Sequence, residues 1–145
     1  STIEDWDKII NINLRAPFFI TTGLSKVLAT SQGSIVNIID IHSDRPLKNH
    51  SIYNISKAGM KMLTKTLAKE LAPNIRVNGI SPGSILWPQE GSQLSDKEKM
   101  MMLDRIALKR QGSPNDIAEA VLFLANANYI TGQVINIDGG RSLNQ

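Results

Sequence analysis

Ser34-Ile35-Val36-Asn37-Ile38-Ile39-Asp40 is a short, mostly apolar and β-branched run that ends on a carboxylate. Such a run fits a strand buried on both faces of a parallel sheet. The next stretch, Ile41 to Ser51, is polar, holds Pro46 and reads as a loop. From about Ser51 to Leu71 the residues Ile52, Ile55, Met62, Leu63, Leu67 and Leu71 recur at helical spacing, and Ala72-Pro73 stops that helix. Ile75-Arg76-Val77-Asn78-Gly79-Ile80 is then a second strand, ended sharply by Ser81-Pro82-Gly83.

The pattern extends in both directions. Upstream, Ser1-Thr2-Ile3-Glu4 reads as a capping box, followed by a long helical pattern through Trp6, Ile9, Ile10, Asn13 and Leu14 to Leu28. Pro17 is expected to kink it, and Gln32-Gly33 marks its break. Downstream, residues 84–104 read as a mobile flap with some helix, starting near Ser95-Asp96-Lys97-Glu98 and packed through Met100, Met101 and Met102. Ser113-Pro114 starts another helix, and Val134-Ile135-Asn136-Ile137 is a third strand closed by Asp138-Gly139-Gly140. Strands alternating with helices imply an α/β fold with a parallel sheet, in which ligands sit at the carboxyl ends of the strands. Asp40 and Ser81-Pro82-Gly83 fall there.

Composition narrows the classes. The chain of 145 residues suits a single domain, 1–145, with its own core. A net charge of +3, with the basic residues scattered, gives no footprint for nucleic acid. Cysteine is absent, which excludes disulfides and thiolate metal sites, and fits a cytoplasmic protein. His42 and His50 have no ligands at a metal-binding spacing, so no metal is expected. No apolar run is long enough for a membrane helix, and the acidic start shows no signal peptide. The first residue is Ser rather than Met, which leads us to expect a trimmed or partial product, a start that processing of an intact one would also give.

Tyr53 and Lys57 are four apart in the helix over 51–71 and share a face. An ammonium beside a phenol favours the phenolate, so the Tyr53 pKa is expected to fall from about 10. Such a tyrosine exchanges protons near neutral pH. An ordinary helix can carry the same pair by chance, and the surroundings decide the matter. Asp40 stands thirteen residues before Tyr53, and a helix and a strand then lead into Pro82-Gly83.

With Asn11-Ile12-Asn13-Leu14, Arg76-Val77-Asn78 and Gly132-Gln133 to Asp138-Gly139-Gly140, this order resembles the C-terminal part of a short-chain dehydrogenase/reductase, from Trp6 to Gly140. The resemblance implies a Rossmann-like parallel sheet with flanking helices, present here as its C-terminal half. It casts Tyr53 as proton donor, Lys57 as the group that tunes Tyr53 and binds the nicotinamide ribose, and Asn13 as the amide that holds a relay water. Asn13 could equally fill the kink near Pro17. The backbone of Pro82, Gly83, Ser84 and Ile85 would border the nicotinamide, or would simply be a turn.

Asp40 departs from the pattern, because most members carry Ser there. A carboxylate repels a developing alkoxide but can orient Tyr53 or accept a bond from an amino-bearing heterocycle. The pteridine reductase branch carries Asp at this place, and it also resembles the chain in Pro46-Leu47 and in Pro82 to Pro88. That branch implies NADPH as cofactor and a pterin as substrate, with Trp87 stacking on the ring. Trp87 could instead be flap packing, and Asp40 a capping or loop carboxylate. A carbonyl reductase, such as an oxoacyl reductase, is the alternative. A non-catalytic assembly module is another. In the family, helices resembling 2–29 and 53–71 pair between subunits, which implies a homo-oligomer, dimer or tetramer. The family's Gly-rich phosphate turn belongs to the first half, and none occurs among the ten scattered glycines. The edge of the strand ending at Asp40 is therefore expected to be bare or otherwise covered.

Overall fold

In a computed structural model of the chain, residues 1–86 and 95–143 are described. Helix α1 (Ile3–Ile10) runs through a π turn (Asn11–Arg15) into α2 (Ala16–Thr30). Then come β1 (Ser34–Ile38), a 3-10 turn (Ile41–Ser43), α3 (Ser51–Leu71) and β2 (Arg76–Pro82). Helices α4 (Asp96–Asp104) and α5 (Pro114–Asn126), strand β3 (Val134–Ile137) and a 3-10 turn (Arg141–Leu143) close the chain.

The described strands form one parallel sheet in the order β1-β2-β3, with Ile35 beside Val77 and Ile80 beside Ile135. Helix α3 crosses from β1 to β2 and packs on β2, while α5 touches all three strands. The core joins Met60, Leu63, Leu67 and Ala68 of α3 to Ile39, Ile75 and Val77. This is the α/β architecture with flanking helices that the alternating pattern implied.

Several local expectations need correction. The first cap is Thr2 rather than Ser1: Thr2 Oγ1 accepts the Asp5 amide at 3.1 Å and Asp5 returns the bond to the Thr2 amide at 3.0 Å. At Pro17, where a kink or bend was expected, the helical run continues through a π turn. Proline has no N–H for the carbonyl four residues back, here Asn13, and its ring would clash with it. The π turn at Asn11–Arg15 absorbs that mismatch, and α2 starts with Pro17 in its first turn.

Strand β1 ends at Ile38, two residues before Asp40, and β2 begins at Arg76 and reaches Pro82. β2 is buried, as a central strand should be, whereas β1 is only half-buried, with Ile38 45% exposed. The reason is position, since among the described residues β1 has a strand neighbour on one side only. Met100 and Met101 stand exposed on α4 rather than packed. The face of α1 and α2 carrying Ile12, Phe19, Ile20, Leu24 and Val27 is also exposed. No helix among the described residues is long and apolar enough to cross a membrane.

Two polar side chains lock β2 to the segment before β3. Arg76 donates to the carbonyls of Leu124, Ala125 and Ala127 at 2.6–3.0 Å, satisfying the end of α5. The Asn78 side chain, fully buried, donates to Ile130 O at 2.8 Å and accepts from Gln133 N at 3.0 Å. The Arg76-Val77-Asn78 signature thus fixes the loop that aligns β3 with the carboxyl end of β2.

Candidate active site

Asp40, Tyr53 and Lys57 meet at the carboxyl end of β1. The backbone there is extended at Asp40, whose carboxylate caps the following 3-10 turn by accepting the His42 amide at Oδ1, 2.8 Å. Its other oxygen, Oδ2, accepts the Tyr53 hydroxyl at 2.6 Å. Asp40 is therefore both the capping carboxylate and the orienting partner of Tyr53.

The charge balance reverses the expected shift on Tyr53. Its phenol is pushed well above the ordinary range, first by burial, then by the hydrogen bond to Asp40 and by the charge of Asp40. Lys57, whose Nζ lies 5.6 Å from the centre of the Tyr53 ring, does not offset this. Burial lowers the Lys57 pKa, and the negative charge of Asp40 partly restores it. Sequence spacing placed the cation near the phenol but did not reveal that the carboxylate is closer. The result is a tyrosine that keeps its proton.

Lys57 Nζ makes one long contact, 3.5 Å, to the carbonyl of Ile38. A half-buried ammonium whose hydrogen bond among the described residues is this weak one has donors to spare for a ligand hydroxyl. That is the chemistry a nicotinamide ribose requires, so the residues present fit such a group.

Asn13 lies on the π turn and reaches α3, but not the hydroxyl of Tyr53. Its Nδ2 donates to Ser56 Oγ at 3.0 Å, and Ser56 Oγ donates to the Tyr53 carbonyl at 2.7 Å. Ser56 is fully buried and was not singled out by sequence, although it stands inside the Tyr53-to-Lys57 motif. Gly59, one turn on, lets α3 approach the π turn: a Cβ there would lie 2.9 Å from Leu14 Cδ2.

The Pro82–Ile85 segment ends β2 beside the loop after β3. The Gly83 amide donates to Ile137 O at 3.0 Å, and a Cβ on Gly83 would stand 2.8 Å from the Asp138 backbone. Ser84 accepts from Arg141 Nη1. Ile85 lines a cavity of about 470 Å³ with Leu108, Asp138, Gly139 and Leu143, to which Tyr53 does not contribute. Trp87 lies outside the described residues.

A family model described as "Enoyl-(Acyl carrier protein) reductase" matches residues 1–142. The chain belongs to the short-chain dehydrogenase/reductase family. Members of this family use NAD(P)H. The chain is 43% identical over 141 residues to the 3-oxoacyl-(acyl-carrier-protein) reductase FabG of Thermotoga maritima, covering 94% of this chain and 57% of the relative. It is 38% identical over 149 residues to L-xylulose reductase of Caenorhabditis elegans, covering 99% of this chain and 59% of the relative. An apo SCOR enzyme from Clostridium thermocellum superposes with a TM-score of 0.88 at 30% identity, over 99% of this chain and 56% of that one. The chain thus spans rather more than half the length of these family members.

Proposed function

We propose that the protein is an NADPH-dependent reductase of a pterin, with Tyr53 as the proton donor. The observation that carries this reading is the 2.6 Å bond from the Tyr53 hydroxyl to Asp40. A raised phenol pKa keeps the proton on Tyr53 through neutral pH, which suits a donor in reduction and not a base in oxidation. A carbonyl being reduced becomes an alkoxide, and Asp40 would repel it. A pterin ring offers N–H and amino donors that a carboxylate accepts. The bound cofactor supplies the hydride.

Lys57 holds the ribose of that cofactor, and the Pro82–Ile85 backbone borders its nicotinamide. Asn13 sets the height of α3 through Ser56, and so fixes Tyr53 in place. Trp87 is assigned to the substrate side by the reading of the sequence alone. The exposed apolar face of α1 and α2 is suited to pairing between subunits of a homo-oligomer, and the absence of cysteine suits the cytoplasm.

A second reading, reduction of a keto group, is favoured by the printed activities of the relatives, an oxoacyl reductase and a xylulose reductase. Steady-state kinetics on the intact protein separate the two. A higher kcat/KM for a dihydropterin than for 3-oxoacyl and ketose substrates supports the first; the reverse order assigns the protein to the second. Absence of turnover and of NADPH binding would leave assembly as the role.

A further inference from the structure

A second cluster of charge stands next to Asp40. Ile41, His42, Arg45, Leu47, Arg105 and Arg141 line a cleft of about 280 Å³. Among the described residues no carboxylate lines it. Arg45 and Arg141 are half-buried, and their positions are fixed by neutral groups. Arg45 Nη1 donates to the carbonyls of Arg141 and Ser142 at 3.0 and 2.9 Å, and Arg141 Nη1 donates to the Ser84 hydroxyl. His42 Nδ1 donates to the Arg45 carbonyl at 2.8 Å, which braces the same loop.

The carboxylates whose field reaches Arg141 are Asp40 and Asp138, and both are otherwise engaged. Asp40 takes the Tyr53 hydroxyl and the His42 amide. Asp138 takes the amides of Gly140 and Ser142 at 2.8 and 2.7 Å. Burial, and then the like charge of Arg105, depress the Arg141 pKa. The guanidinium groups of Arg45 and Arg141, half-buried and bonded to neutral acceptors, carry positive charge that those bonds leave uncancelled. Their planar donor forks match carboxylate and phosphate oxygens.

We infer that this cleft is an oxyanion subsite, which seats a carboxylate or phosphate borne on an arm of the substrate whose reacting group lies at Asp40 and Tyr53. The inference rests on the reductase reading of Asp40 and Tyr53, but not on the substrate being a pterin. It adds a requirement on the substrate: a polar reacting end and an anionic arm on one molecule. Arg45 and Arg141 are then specificity-determining residues that act on binding more than on the chemical step.

Calorimetry on the intact protein with matched ligand pairs tests this. The pairs are dihydroneopterin with its monophosphate, a dihydropterin carrying a propionate arm with its methyl ester, and acetoacetate with methyl acetoacetate. An anionic member is expected to bind about tenfold or more tightly than its neutral mate. Arg141→Gln should remove that advantage, with Arg141→Lys intermediate. A preference in only the phosphate or only the carboxylate pair identifies which anion the cleft takes. A preference in the keto pair alone keeps the subsite and defeats the pterin reading. Equal binding of charged and neutral members in every wild-type pair overturns the subsite, whatever the variants do. An advantage that survives in folded R141Q does so too.

Discussion

The Tyr53 hydroxyl donates to Asp40 Oδ2 across 2.6 Å, while the His42 amide holds Asp40 Oδ1 at 2.8 Å. The carboxylate is thus anchored by backbone before it touches the tyrosine. That anchoring gives the phenol one direction in which to point its proton, and it sets what each substitution should do.

Tyr53→Phe removes the proposed acid and keeps the ring. Turnover should fall about 10²–10⁴-fold, the usual contribution of a positioned proton donor. Circular dichroism and melting should stay close to the parent, because the lost bond is only part-buried. Activity within a small factor of the parent would remove Tyr53 from the mechanism.

Asp40→Asn should move the alkaline limb of the pH profile to lower pH. Part of the raised Tyr53 pKa comes from Asp40, through its hydrogen bond and charge, so removing that charge lowers the phenol pKa. The same charge supports the ammonium of Lys57 against burial, so that group also titrates earlier. Both shifts have the same sign. The measurement is kcat/KM against pH for parent and variant, and a limb that stays put or moves up contradicts the assignment.

Asn13→Ala should act mainly on stability. It strips a donor from Ser56 Oγ, which is fully buried. Leaving such a group short of a partner costs about 1–3 kcal/mol. Urea unfolding should show a lower midpoint at unchanged slope. A smaller loss of kcat than in Tyr53→Phe is expected, since Asn13 bonds Ser56 and not the Tyr53 hydroxyl.

Gly83→Ala tests the wall proposed to border the nicotinamide. The new methyl would meet the Asp138 Cβ at 2.7 Å and its Cα at 2.8 Å, neither of which is a flexible chain end. Overpacking of this kind costs about 1–3 kcal/mol. NADPH affinity, followed by nicotinamide fluorescence, should weaken as β2 and the Asp138 loop separate. Unchanged affinity and melting would show that the loop yields freely.

Much of this arrangement was legible in the chain because it is local. The Ser113 cap, the span of α3 and strand β3 follow from residues within a turn or two of each other. The same is true of Tyr53 and Lys57, which four-residue spacing alone puts on one face. Corrections arose where a long-range neighbour decided the outcome. β1 is half-buried because of what stands beside it; the one-residue shift of the first capping box is the local exception, since Asp5 competes with Glu4 for the role.

The sequence by itself determined that strands alternate with helices, that the chain has the form of a short-chain dehydrogenase/reductase, and that Asp40, Tyr53 and Lys57 belong to one site. Periodicity suffices for the alternation, since it depends on backbone geometry repeated along the chain, while the family and the grouping of Asp40 with Tyr53 and Lys57 come from the resemblance of the motifs. Only the tertiary structure decided the sign of the Tyr53 shift, the route from Asn13 through Ser56, and the meeting of Arg45 with Arg141. Those outcomes depend on distances between residues as many as 97 positions apart, and electrostatics falls off with distance in space, not along the chain.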